Sequence, residues 1–122
     1  MHRTADIEFT VSLVELKRAF RRLSARLPDE SESGGEFVAF DASHNTLEII
    51  ALGTSEGLSA FVVHPGRASV PFPVFGGVAR ILRFYRLKVV RLAFSAGELS
   101  IDCTAFRHKD ILPSSISVHQ GR

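Results

Sequence analysis

Lys17, Arg18, Arg21, Arg22 and Arg26 fall within ten consecutive positions, and Arg80, Arg83 and Arg86 follow at three-residue steps. Cations gathered at helical spacing hold phosphates. They neutralise the anion and release its counterions, and they read no base in doing so. The other residues capable of chemistry stand apart from one another. His2, His44, His64, His108 and His119 show no metal-ligand spacing with Cys103 or with a carboxylate. His108 near Asp110 reads as a surface or cross-strand feature. Ser24, Ser59 and Ser100 lie outside any Gly-x-Ser-x-Gly elbow. Gly76-Gly77 has no lysine with which to cradle a nucleotide phosphate. Cys103 alternates with Ile101 as along a strand, which suits a small buried apolar residue better than a nucleophile. With no acid/base pair evident among the carboxylates, the chain is expected to be non-enzymatic and to need neither metal nor cofactor.

The elements that must carry the cations are legible in the hydrophobic pattern. Residues 7–11 alternate as a strand does. Ser12-Leu13-Val14-Glu15 then has the form of a capping box, in which the Ser12 hydroxyl takes the Glu15 N–H and the Glu15 carboxylate reaches back. Leu13, Leu16, Phe20, Leu23 and Leu27 recur at three- and four-residue steps, so a helix is predicted over 13–27, ended by Pro28 and the polar stretch 29–35. Strands are predicted over 36–42, 46–52 and 58–64, with turns at 43–45 and 53–57; Pro65-Gly66 closes the first half. The plan then repeats. A short strand covers 68–71, and Pro73 opens a helix over 73–86 with Val74, Val78, Ile81, Leu82 and Tyr85 buried. Residues 89–95 and 98–105 form a hairpin around Ala96-Gly97, and 106–112 is a weaker last strand.

The two halves match locally. Phe40-Asp41-Ala42 and Leu47-Glu48-Ile49 resemble Phe94-Ser95-Ala96 and Leu99-Ser100-Ile101, an alignment that makes the second hairpin loop two residues shorter. Thr10-Val11-Ser12 and Ser69-Val70-Pro71 precede the two helices. The sequence therefore predicts an α+β fold: a duplicated strand–helix–three-strand unit, with two helices packed on antiparallel sheet.

A length of 122 residues, 45% of them hydrophobic and including ten Phe, suits one domain over 1–122, with its core at 7–112 and a flexible tail at 113–122. A single cysteine allows no intrachain disulfide and favours a reducing compartment. Without a secretory signal or an apolar run near the roughly 20 residues a membrane helix needs, a cytoplasmic protein with no membrane association is expected.

The net charge of +2 conceals a segregation. The two predicted helices hold eight of the 15 basic residues and one of the 13 acidic ones, so the remainder holds seven basic and twelve acidic residues. At about 100° per residue, Arg18, Arg21, Arg22 and Ala25 oppose the apolar stripe of the first helix, and Arg80 and Arg83 oppose that of the second. Phe84 also falls near the outer face. Basic helices over a mildly acidic sheet favour duplex DNA held by its phosphates. Lys17, Arg18, Arg21, Arg22, Arg26, Arg80, Arg83 and Arg86 are the candidate DNA-binding residues. The competing explanation is a helix surface charged only for solubility.

A doubled unit of this size, with Leu16-Lys17-Arg18-Ala19-Phe20, Ala68-Ser69-Val70-Pro71 and Gly97-Glu98-Leu99-Ser100-Ile101 in this order, resembles one domain of the DNA sliding clamps, the processivity factors of DNA polymerases. Among these it is most similar to the bacterial polymerase III beta subunit. The resemblance runs from about Ile7 to Leu112. It implies two helices per domain lining a central hole, a continuous outer sheet, and six domains closing the ring. This chain departs from the pattern in holding one domain, so a ring would need six copies or different partner chains.

The resemblance further implies subunits joined sheet edge to sheet edge, here through 58–64 and 106–112, and polymerase or other replication proteins as partners. The alternative is a clamp-fold interaction module or regulator that does not encircle DNA. A small-molecule-binding α+β domain is the third possibility, and no pocket signature supports it.

Overall fold

The computed structural model describes residues 5–26, 36–102 and 104–113. Leu27, Pro28, residues 29–35, Cys103 and all of the expected tail 113–122 except Pro113, which lies in a strand, fall outside the described residues, as do His2 and His119. The elements run β1 (Ile7–Ser12), α1 (Leu13–Ser24), β2 (Phe37–Ser43), β3 (Thr46–Ala51), β4 (Thr54–His64), β5 (Gly66–Pro71), α2 (Phe72–Leu82), β6 (Val89–Ser95), β7 (Glu98–Ile101), β8 (Thr104–Arg107) and β9 (Leu112–Pro113). All pairings are antiparallel, in the order β8-β7-β6-β1-β4-β3-β2-β5-β9.

The duplicated plan is present, and the halves exchange their first strands. β1 lies against β6 of the second half, and β5 lies against β2 of the first. The pairing of β1 with β4 joins the two strand groups formed by this exchange into one sheet. That sheet curls tightly. Phe40 on β2 and Phe94 on β6 sit four strand spacings apart, about 19 Å in a flat sheet, yet their ring centroids are 5.3 Å apart. The two ends also approach each other. Arg107 ends β8 and Leu112 begins β9 at the opposite end of the strand order. Five residues reach at most about 17 Å, whereas eight flat spacings would need about 38 Å. Backbone bonds from Gly97 N–H to Ile111 O and from His108 N–H to Gly97 O, both 3.0 Å, fasten this junction.

Alternation fills the space inside the curl. Ile7, Phe9 and Val11 point inward from β1; Val38, Phe40 and Ala42 from β2; Val90, Leu92 and Phe94 from β6. Both helices lay their apolar stripes on this core, α1 through Leu13, Leu16, Ala19, Phe20 and Leu23 and α2 through Phe72, Phe75, Val78 and Leu82. Phe20 stacks on Phe75 with centroids 4.5 Å apart, which fixes the helices against one another.

Several boundaries differ from the expected ones for identifiable reasons. α1 begins as predicted, with Glu15 N–H donating to Ser12 Oγ at 3.3 Å, but it ends at Ser24, and Arg26 lies in the turn beyond. α2 ends at Leu82 because Tyr85 leaves the helical path: its hydroxyl donates to Ile101 O at 2.9 Å. The last amides accordingly bond three residues back, Phe84 N–H to Ile81 O and Tyr85 N–H to Leu82 O. Phe75 replaces Ile81 in the buried stripe. β4 begins at Thr54, so its turn with β3 is Leu52-Gly53 and Gly57 lies within the strand. The expected strand 98–105 breaks at Asp102, whose φ is +51°, and turns back as β8. The expected strand 106–112 is therefore divided between β8 and β9.

The alignment of the halves also shifts. Both hairpins turn on two residues, with Ser43 paired to Thr46 and Ser95 to Glu98. The loops are equal in length, and Phe94 corresponds to Ala42 rather than to Phe40. The Phe pair misled because Phe94 occupies the position of Ala42, while the position of Phe40 is taken by Leu92.

Candidate nucleic-acid interface

The first turn of α1 is held by the Ser12 cap and by Leu13 N–H donating to Lys88 O at 2.9 Å. Its amphipathic pattern does the remaining positioning. With Leu16, Ala19, Phe20 and Leu23 buried, Arg18, Arg21 and Arg22 must face outward, and all three are exposed. α2 behaves likewise: burial of Phe75, Val78 and Leu82 leaves Arg80 at the surface, followed by Arg83 at the helix C-cap.

The two helices lie side by side on the molecule and leave a cleft of about 410 Å³ between them. Phe20, Ala79 and Leu82 form its apolar floor; Lys17, Arg21 and Arg83 stand on its walls. Cations from both halves of the chain therefore surround one depression. Three like charges around a shallow low-dielectric floor strengthen one another's attraction for an anion.

The eight candidate residues do not form one uniform set. Lys17, Arg18, Arg21, Arg80 and Arg83 belong to the helical face and its cleft. Arg22 and Arg26 lean toward the sheet instead. Glu56 on β4 accepts from Arg22 Nη1 at 3.4 Å and from Arg26 Nη2 at 3.0 Å, and Arg26 Nη1 also donates to Thr54 Oγ1 at 2.6 Å. Glu56 projects to the helix side of β4, a placement that no local pattern in the sequence announces. Arg86 lies past α2, exposed in the segment leading to β6.

One expected assembly edge, 58–64, is partly taken within the chain. β3 pairs with β4 only as far as Ser59, and β1 pairs with its other side from Ala60 to His64, so residues 61–64 face no described strand on the β3 side. Phe61 and Val63 of this span remain 69% and 44% exposed. Of the expected edge 106–112, Phe106 and Arg107 belong to β8, which among the described residues pairs with β7 alone, so its far side offers backbone groups with no strand beside them. At the opposite end, β9 shields only Ala68 and Ser69 of β5. The outer face of the sheet carries mixed charge, with Arg91–Glu8, Arg67–Asp41 and Arg107–Glu98 paired at 3.2, 3.9 and 3.6 Å. Among the described residues no helix is long and apolar enough to cross a membrane.

Two helices on the concave side of a long antiparallel sheet, built from two matching halves with exchanged first strands, define the fold of a single DNA sliding-clamp domain. Solved bacterial clamps show it directly. The beta sliding clamp of C. crescentus superposes with a TM-score of 0.67 at 19% identity, over 88% of this chain and 30% of that one. The DNA polymerase III subunit beta of Pseudomonas aeruginosa gives 0.65 at 18% identity, over 93% and 32%. That of Borrelia burgdorferi gives 0.63 at 13% identity, over 94% and 31%. This chain thus spans about a third of the length of each clamp. No protein-family model matches the chain, and neither does any curated protein sequence.

Proposed function

We propose that this chain is a non-enzymatic, DNA-associated protein of the sliding-clamp kind, which holds duplex DNA against the α1/α2 face by phosphate contacts. Lys17, Arg18, Arg21, Arg80 and Arg83 supply the attraction directly, Arg86 adds to it from beyond α2, and Arg22 and Arg26 contribute from their tether on Glu56. Six such domains, joined through the free edge of β8 and the lightly covered edge at β5 and β9, would close a ring and serve as a processivity factor in cytoplasmic DNA replication or repair. Polymerases and other replication proteins are then its natural partners. The observation that carries this reading is the convergence of Lys17 and Arg21 with Arg83 on one interhelical cleft. Charge added only for solubility has no reason to collect cations from both halves at one place.

Two measurements test it. DNA affinity should fall steeply with salt, the slope growing by about 0.9 for each phosphate neutralised. Reversing Arg18, Arg22, Arg80 and Arg83 to Glu should abolish binding while leaving the circular dichroism spectrum unchanged; retained affinity would end the proposal. Light scattering tests the ring: six copies of a 13.4 kDa chain give about 80 kDa. A monomer or dimer that still binds DNA would favour the clamp-fold module that does not encircle its ligand.

A further inference from the structure

We infer that the segment 83–88, between α2 and β6, is a recognition element for unpaired nucleic acid, in which Phe84 stacks on an exposed base where duplex gives way to single strand. The inference rests on the reading that the α1/α2 face holds duplex DNA and adds a second ligand feature to it.

Arg83-Phe84-Tyr85-Arg86-Leu87-Lys88 interleaves three cations with three apolar side chains. Phe84 is 77% exposed, more than any other large hydrophobic residue among those described, and Leu87 is 56% exposed. A ring left in water on so short a segment has no packing role. It is also held in place. Phe84 N–H donates to Ile81 O at 3.0 Å, and the neighbouring Tyr85 is anchored to Ile101 O and, at 3.3 Å, to Thr104 Oγ1. The backbone that presents Phe84 is thus fixed beforehand, and little ordering remains to be done on binding.

The location gives the ligand. Arg83 stands on the wall of the interhelical cleft, and Lys88 O accepts from Leu13 N–H at the start of α1, so the segment borders the basic face from the cleft to the first turn of α1. A strand leaving the duplex there would meet Arg83, Arg86 and Lys88 with its phosphates and Phe84 with its bases. Cations tracking a backbone beside an aromatic platform are the combination that single-stranded nucleic acid requires. Stacking tolerates any base, so the element adds structure selectivity without sequence preference.

The test compares a primer–template junction with a blunt duplex, using the full chain and its Phe84→Ala and Phe84→Trp variants, with 2-aminopurine at the first unpaired template position. Phe84→Ala should weaken junction binding about tenfold and leave blunt-duplex binding unchanged; Phe84→Trp should retain both, and the fluorophore should be quenched by the wild type and the Trp variant only. Equal losses on the two DNAs, or unquenched fluorophore, would overturn the inference while sparing duplex binding. Failure of the wild type to bind either DNA would remove both. Binding of vesicles of phosphatidylglycerol and phosphatidylcholine that depends on Phe84, with no effect on junction DNA, would assign the segment to a membrane surface and overturn it as well.

Discussion

Glu56 restrains two of the arginines proposed to hold DNA. Its side chain is largely covered, whereas Arg22 and Arg26 remain about half exposed. Such a pair contributes at most about 1 kcal/mol to stability, so its greater effect is on the field above α1. Glu56→Gln should therefore leave the melting temperature nearly unchanged while raising DNA affinity. The salt slope should steepen by about 0.9 for each arginine that then neutralises a phosphate. Anisotropy titrations across salt would measure this, and an unchanged slope would mean that both arginines already reach the ligand. A different local cost sits at Leu52, a non-glycine residue held at φ +49° in the β3–β4 turn with its side chain half exposed. Left-handed backbone costs such a residue roughly 1–2 kcal/mol. Leu52→Asn would create the Asn-Gly pair that two-residue hairpins favour, and thermal unfolding should shift upward by about 4 °C per kcal/mol recovered. The core offers the opposite case: Phe40 and Phe94 meet at 5.3 Å with no exposure. Phe94→Ala should cost about 3–5 kcal/mol, read as a lower denaturant midpoint.

At the scale of elements, α2 and the edge strand β8 are coupled through one close approach. A Cβ on Gly77 would lie 3.2 Å from Phe106 Cε2. The helix can sit this close to β8 because that position carries no side chain. Gly77→Leu should push Phe106 away and loosen β8, seen as faster amide hydrogen exchange over 104–107 while α1 stays protected. Unchanged exchange would show that the helix absorbs the extra volume by shifting. Tyr85 makes the second link between α2 and the β7–β8 turn, and the helix ends where that link begins. This explains why Arg83 and Arg86 lie outside a helix that the hydrophobic pattern extended over them. Tyr85 has the right spacing for a helical stripe, and its hydroxyl has a better use elsewhere.

For the whole molecule, the decisive feature is the curl that brings the two ends of a nine-stranded sheet near one another. It places both helices on one side and leaves β8, the β5/β9 pair and the β3-facing side of residues 61–64 as open edges among the described residues. In a two-residue hairpin the closing pair, here Ile101 with Thr104, exchanges the hydrogen bonds, so the N–H of Ala105 points outward. Ala105→Pro should then abolish any self-association while the monomer stays folded, as read by light scattering and circular dichroism. Persistence of the multimer would locate assembly elsewhere.

What the sequence settled by itself was periodic and local. Alternation placed β1, β2, β3 and β6, the Ser12 cap placed the start of α1, and the three- and four-residue stripe set which side of each helix is wet and therefore basic. The duplication was legible too, although Phe40 and Phe94 suggested an offset that the turns at His44-Asn45 and Ala96-Gly97 correct. Strand order was not legible, because an apolar strand such as β4 reads the same whether its neighbours are its own chain or another copy. Nor could the sequence bring Glu56 beneath Arg22 and Arg26, since residues 30 positions or more apart meet only once the sheet has curled. Local pattern dictates which face of an element avoids water; the identity of what covers that face, or stands beside it, is decided by the closure of the whole chain.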